Sequence, residues 1–226
     1  MSAAEWKVAV GDDETRAVYE PSTSGQGSDS ALYVCAHGAG GSMSDRSTLA
    51  AANKLRARGF GVVRFNFLYK EKGSGRPDPM PKLMTTFAAV VDRVRAELGS
   101  PHPLIIGGRS MGGRAASMLA ADGFDADGLL MLAYPLHPEG QPEKLRDAHL
   151  PSITMPVLCI NGTRDALCTR ELMERALMTV TAPWEMHWLD GADHMFHVLK
   201  SSGRNDAAVL DEAGNVSAQW LARLTA

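Results

Sequence analysis

Cysteine is scarce. There are three, Cys35, Cys159 and Cys168, in 226 residues. An odd count cannot pair completely, and the first two fall inside short apolar segments that read as buried strands, so free thiols acting as small apolar side chains are expected. None has the paired spacing of a zinc site, and neither a metal nor a cofactor is expected. Long apolar runs are missing as well. Nothing approaches the roughly 18 residues of a membrane span, and the opening MSAAEWKV lacks the basic-then-apolar order of a secretion signal. Both absences point to the cytoplasm and away from a membrane partner. Nor is there a basic excess: 23 Lys and Arg stand against 26 Asp and Glu, a net charge of -3. That balance leaves no stripe for a phosphate backbone and argues against a nucleic-acid partner, and the cluster around Arg56 and Arg58 reads as the solvated face of a helix.

What is present is enough for one core: 45% of the residues are hydrophobic, and no repeat or interdomain linker interrupts the chain. It reads as a single domain over residues 1–226. The segment EWKVAVGDDETRAVYEP alternates apolar and polar residues about a Gly-Asp-Asp turn, the pattern of an antiparallel hairpin. The polar stretch after it, 22–30, reads as a flexible loop. From Ala31 onward, compact apolar runs (ALYVCAHG, GVVRFNF, PLIIGG, GLLMLAYPL, MPVLCING, WEMHWLDG) alternate with helical periodicity. The clearest helix runs from Lys82 to Leu98, and a last one carries Trp220, Leu221 and Leu224 back onto the sheet. The expected fold is α/β: a mostly parallel sheet with helices on both faces, an N-terminal antiparallel hairpin, and no segment long enough for a large lid.

One turn stands out. In PLIIGGRSMGGRAASMLAADG a serine flanked by glycines sits where a strand hands over to a helix. Gly108-Arg109-Ser110-Met111-Gly112 fits a Gly-x-Ser-x-Gly turn, in which small residues let a strained nucleophile stand clear at the top of a sheet. A glycine-rich connection with an incidental serine fits the same five residues, so the reading needs partners elsewhere. Functional groups of open α/β sheets collect at the carboxyl ends of the strands. There, MPVLCI runs into Asn161-Gly162-Thr163-Arg164-Asp165 and WEMHWL into Asp190-Gly191-Ala192-Asp193-His194. A serine hydroxyl becomes nucleophilic when an imidazole takes its proton, and a carboxylate orients that imidazole. Asp165 and His194 are the candidates. Asp190 and Asp193 are rivals for the acid and His197 for the base, the last discounted because MFHV looks helical. An oxyanion needs backbone N–H donors, one from Met111 and one from His37-Gly38-Ala39-Gly40-Gly41, where Ala39 is favoured and Gly40 is the alternative.

Arg64, Arg109, Arg114 and Arg76 gather near this face. A guanidinium suits a carboxylate or phosphate on a substrate, and it equally suits bracing a turn. Arg76 in EKGSGRPDPMP is the candidate for substrate contact, with Tyr69 and Met80 as pocket wall.

With HGAGG, RFNFLY, GGRSMGGR, NGTRDAL and GADHMF in that order, the chain resembles the α/β-hydrolase superfamily over essentially its whole length. It looks most like the dienelactone-hydrolase-like branch, and within it the relatives of hydrolase-like domains in a KANSL-type chromatin-complex subunit. The resemblance implies Ser110 as nucleophile, Asp165 as acid, His194 as base, and the Met111 and Ala39 amides as oxyanion hole. It departs in one place: true dienelactone hydrolases carry cysteine where this chain has Ser110, which argues against dienelactone as substrate. Two functions follow. One is a serine hydrolase acting on an ester, thioester or related acyl bond of a small molecule. The other is a hydrolase-fold binding or scaffolding module. Peptidase action is a lesser alternative, and nothing decides between a monomer and a homodimer.

Overall fold

The alternating N-terminal segment forms the antiparallel hairpin β1 (Ala4–Val10) and β2 (Asp13–Glu20) in the computed structural model, which describes residues 2–24, 31–99 and 103–224. Trp6, Val8, Val10, Ala17 and Tyr19 alternate along it and are buried on one face. Of the loop expected at 22–30, residues 25–30 lie outside the described ones. Thr23 donates its N–H to the Arg56 carbonyl at 2.9 Å, which ties the start of that loop down.

The rest alternates as expected: β3 (Ala31–Ala36), α1 (Arg46–Arg56), β4 (Phe60–Phe65), α2 (Leu68–Glu71), α3 (Met80–Leu98), β5 (Leu104–Arg109), α4 (Met111–Ala121), β6 (Gly128–Leu132), β7 (Val157–Gly162), α5 (Arg170–Leu177), β8 (Trp184–Leu189) and α6 (Asp206–Leu224). The strands form one eight-stranded sheet in the order β1-β2-β4-β3-β5-β6-β7-β8. It is parallel from β4 to β8, with the hairpin joined antiparallel at β2.

Alternation within each buried strand sorts side chains between two cores. Leu32, Val34 and Ala36 of β3 join Ile106, Met131 and Cys159 under α3, α4 and α5. Tyr33 and Cys35 join Ile105, Leu130 and Ile160 under α1 and α6, where Trp220 and Leu221 are buried. All three thiols are free and buried. Arg56 and Arg58 depart from the solvated-face reading. Arg56 pairs with Glu20 at 3.0 Å, and Arg58, just past α1, reaches Asp211 of α6 at 3.0 Å. Both bind elements together because the chain brings acids to them across the molecule. Among the described residues no helix is long and apolar enough to cross a membrane.

Strand order reverses around β3: the chain moves from β3 outward to β4, then returns to place β5 on the other side. The crevice beyond the carboxyl ends of β3 and β5 is where such sheets hold ligands.

Candidate active site

Ser110 stands at that crevice, between the last residue of β5 and the first of α4, with φ 50° and ψ −116°. A non-glycine residue there costs about 1–3 kcal/mol, and the surroundings hold it. Its N–H donates to the Leu132 carbonyl at 2.9 Å, and its carbonyl accepts from the Arg114 N–H at 3.0 Å. The flanking glycines are needed for close approach. A Cβ on Gly108 would lie 2.3 Å from the Ala36 carbonyl oxygen, and one on Gly112 2.5 Å from the same atom. The turn is thus wedged against the end of β3.

Asp165 follows β7, and His194 lies in the loop after β8. His194 Nε2 is 2.9 Å from Ser110 Oγ, and its Nδ1 is 3.0 and 2.9 Å from the two carboxylate oxygens of Asp165. Asp165 has a fully buried side chain. Its oxygens also accept from the Leu167 N–H at 2.8 Å and from Asn161 Nδ2 at 3.1 Å. These donors fix the carboxylate in place, where it accepts from Nδ1–H and leaves Nε2 facing the Ser110 hydroxyl. Asn161 is wholly buried and also binds both the N–H and the carbonyl of Tyr134.

Asp193 and His197, two of the rivals, have other partners. Asp193 Oδ1 accepts the N–H groups of Met195 and His197 at 2.8 and 3.0 Å, and His197 pairs with Asp206 at 2.9 Å. The MFHV segment is not helical. The Asp193 side chain folds it into a turn, Phe196 adopts φ 62°, and Ala192 bridges Val198. Arg109 borders the crevice beside Ser110 and His194, but its guanidinium is committed. It donates to the His194 carbonyl and lies over the Phe196 ring, 4.9 Å from its centroid. Arg64 is likewise committed, to the Met43 carbonyl and to Glu20.

Met111 begins α4, so its N–H is one of the helix's free first-turn donors. The loop bearing Ala39 lies against the turn: a Cβ on Gly38 would be 3.4 Å from Ser110 Cβ. His37, buried beneath that loop, accepts the Phe67 N–H on Nε2 at 3.1 Å, which leaves Nδ1–H to donate to the Gly38 carbonyl at 2.8 Å. Burial holds this imidazole neutral, its pKa below the usual value. The histidine therefore clamps the loop after β3 to the one after β4, a role no motif announces.

Two hollows meet at Ser110. One, of about 500 Å³, is lined by Ala39, Met80, Met111, Arg114 and Arg146 among others. The second, of about 270 Å³, holds His194, Met195 and Asp45. The loop over residues 133–156 supplies Pro135, Pro138 and Arg146 to the larger hollow and contains one 3-10 turn, Leu150–Ser152. Of the residues expected to touch a substrate, Ala39, Met80 and Met111 line these hollows. Tyr69 is buried, with its ring edge-on to His37. Gly40 (φ 73°) and Arg76 are exposed, and none of these three lines either hollow. Among the described residues no cluster of His, Cys, Asp or Glu is arranged to hold a metal.

A doubly wound sheet with a strained serine after its fifth strand, a carboxylate after the seventh and an imidazole after the eighth defines the α/β-hydrolase class. The chain belongs to it: the family model described as "Alpha/beta hydrolase domain" matches residues 29–222. Among solved structures, a serine hydrolase homologue from Coxiella burnetii is 21% identical, with 97% of each chain covered and a TM-score of 0.76. An α/β serine hydrolase without a lid from Xanthomonas campestris is 20% identical, covering 97% of this chain and 95% of the other, also at 0.76. A dienelactone hydrolase from Anabaena variabilis is 19% identical over 99% of both chains, at 0.74.

Proposed function

We propose that the protein is a serine hydrolase that cleaves an ester, thioester or related acyl bond of a small molecule through an acyl-enzyme. The observation that carries this reading is the continuous hydrogen-bonded line from the buried Asp165 carboxylate through His194 to Ser110 Oγ. His194 Nε2 takes the hydroxyl proton as Ser110 Oγ bonds to the carbonyl carbon. The electron pair of the carbonyl moves to its oxygen, where the N–H groups of Met111 and Ala39 receive it. Collapse breaks the bond to the leaving group, which departs with the proton from His194. Water, deprotonated by the same imidazole, then releases the acid.

A fluorophosphonate probe followed by peptide mass spectrometry tests this directly. Expected is one adduct, on Ser110, lost in Ser110→Ala with no change in melting temperature. An unlabelled wild-type chain would overturn the proposal in favour of a binding or scaffolding module that keeps the residues without the chemistry.

A further inference from the structure

The larger hollow beside Ser110 holds two guanidinium groups that the fold does not neutralise. Arg114 lies one helical turn past Ser110, and Arg146 comes from the loop between β6 and β7. Among the described residues neither forms an ion pair with a carboxylate, and the Nε of Arg114 is buried without a hydrogen-bond partner. Arg146 places one N–H on the Pro135 carbonyl at 3.2 Å, far fewer bonds than a guanidinium offers. Their charges act on each other and on their surroundings. Burial first, and then the charge of Arg114, draw Arg146 below its ordinary pKa. The same two causes push neighbouring His149 down to about 4, so it adds no charge of its own.

The acids lining the hollow do not answer this. Asp78 accepts the Tyr69 N–H at 2.9 Å and faces Lys82 at 3.6 Å. Glu139 is exposed to solvent. Like charges held together beside a partly buried hydrogen-bonding atom are costly unless an anion joins them.

Which part of a substrate meets them follows from the position of His194. The imidazole returns its proton to the leaving group, so the leaving group departs on the His194 side, into the smaller hollow. The acyl portion then lies opposite, in the hollow that contains Arg114 and Arg146 but not His194.

We propose, resting on the hydrolase reading above, that Arg114 and Arg146 form an anion subsite for the acyl group, so that the preferred substrate carries a carboxylate or phosphate a few atoms from the carbonyl that Ser110 attacks. Arg114 is four positions past Ser110, about 6 Å along the helix axis, and long helical side chains lean back toward the N-terminus. That reach suits an acyl group of roughly four to six carbons.

The test compares p-nitrophenyl hemiglutarate with the same ester whose distal carboxylate is capped as a methyl ester, in wild type, Arg114→Gln, Arg146→Gln and Arg146→Lys. The charged ester is expected to have the higher kcat/KM, by roughly tenfold or more at low salt. This ratio should collapse toward one in either Gln variant, return in part with Arg146→Lys, and fall as salt is added. Inhibition of hemiglutarate turnover by free glutarate, set against inorganic phosphate, tells which oxyanion the subsite takes. Circular-dichroism melts identify a variant that has lost its fold, and the other arginine variant then carries the comparison. A ratio at or below one in the wild type, or one that survives both Gln substitutions, overturns the subsite. Fluorophosphonate labelling of Ser110 separates the two proposals: a labelled enzyme without charge preference sinks the subsite alone, and an unlabelled one sinks both.

Discussion

At the residue scale, the three site members do different work and should fail differently. Asp165→Asn keeps the shape of the buried carboxylate but offers an amide N–H where Nδ1 needs an acceptor. kcat for p-nitrophenyl acetate is expected to drop by about 10³ to 10⁴ with little change in KM. A loss of less than tenfold would mean another group orients the imidazole. His194→Ala should remove turnover, while His197→Ala, which frees only the exposed partner Asp206, should leave it near wild type; steady-state rates of the pair decide between them. These three were readable in the sequence because each follows an apolar run that ends at the same edge of the sheet. Arg146 and Asn161 were not. Arg146 matters only because the loop after Tyr134 brings it beside Arg114, and Asn161 only because its amide spans Tyr134 and Asp165. Arg109 was visible as a basic group beside Ser110, but its direction was not. That depends on Phe196 and the His194 carbonyl, 85 residues or more along the chain.

At the element scale, the turn from β5 into α4 fits against β3 with no space to spare. Gly112→Ala would bring a methyl group onto the carbonyls of Ala36 and His37, at 2.5 and 2.7 Å. The helix must then shift. The expected cost is about 1–3 kcal/mol of stability, together with a fall in kcat, since Ser110 moves with the helix and His194 does not. Chemical denaturation and steady-state kinetics on the same sample check both; a variant with normal kcat and reduced stability would show that the serine is held by β6 rather than by α4. Strands and long helices were legible here because burial imposes a period on their sequences. The turn after His194 was misread as helix because its apolar residues are spaced like one, whereas the Asp193 carboxylate captures two backbone N–H groups and bends the chain first.

For the whole molecule, stability should fall on acidification. His149 is held below its ordinary value, near 4, by burial and then by Arg114, and His37 is lowered chiefly by burial. Between about pH 6.5 and 4 the unfolded chain therefore binds protons that the folded one refuses, and stability present above 6.5 is lost as pH falls through that window. For His149 alone, allowing for partial exposure, this amounts to something on the order of 2 kcal/mol. His149→Gln, which preserves a partner for Ser117, should flatten the dependence of melting temperature on pH in that range; an unchanged slope would assign the effect elsewhere. The order of strands was foreseen in class but not in detail, since pairing between β3 and β5, 104 to 108 against 32 to 36, leaves no local mark on either segment. The sequestered thiols have a practical consequence of their own. Cys35, Cys159 and Cys168 are sealed inside three different stretches of the sheet and its flank, and burial drives all three toward the unreactive protonated form, Cys35 to about 11. A maleimide added to the native protein thus has nothing to modify until the molecule opens, and the order in which the three sulfurs become tagged would time the loosening of its parts.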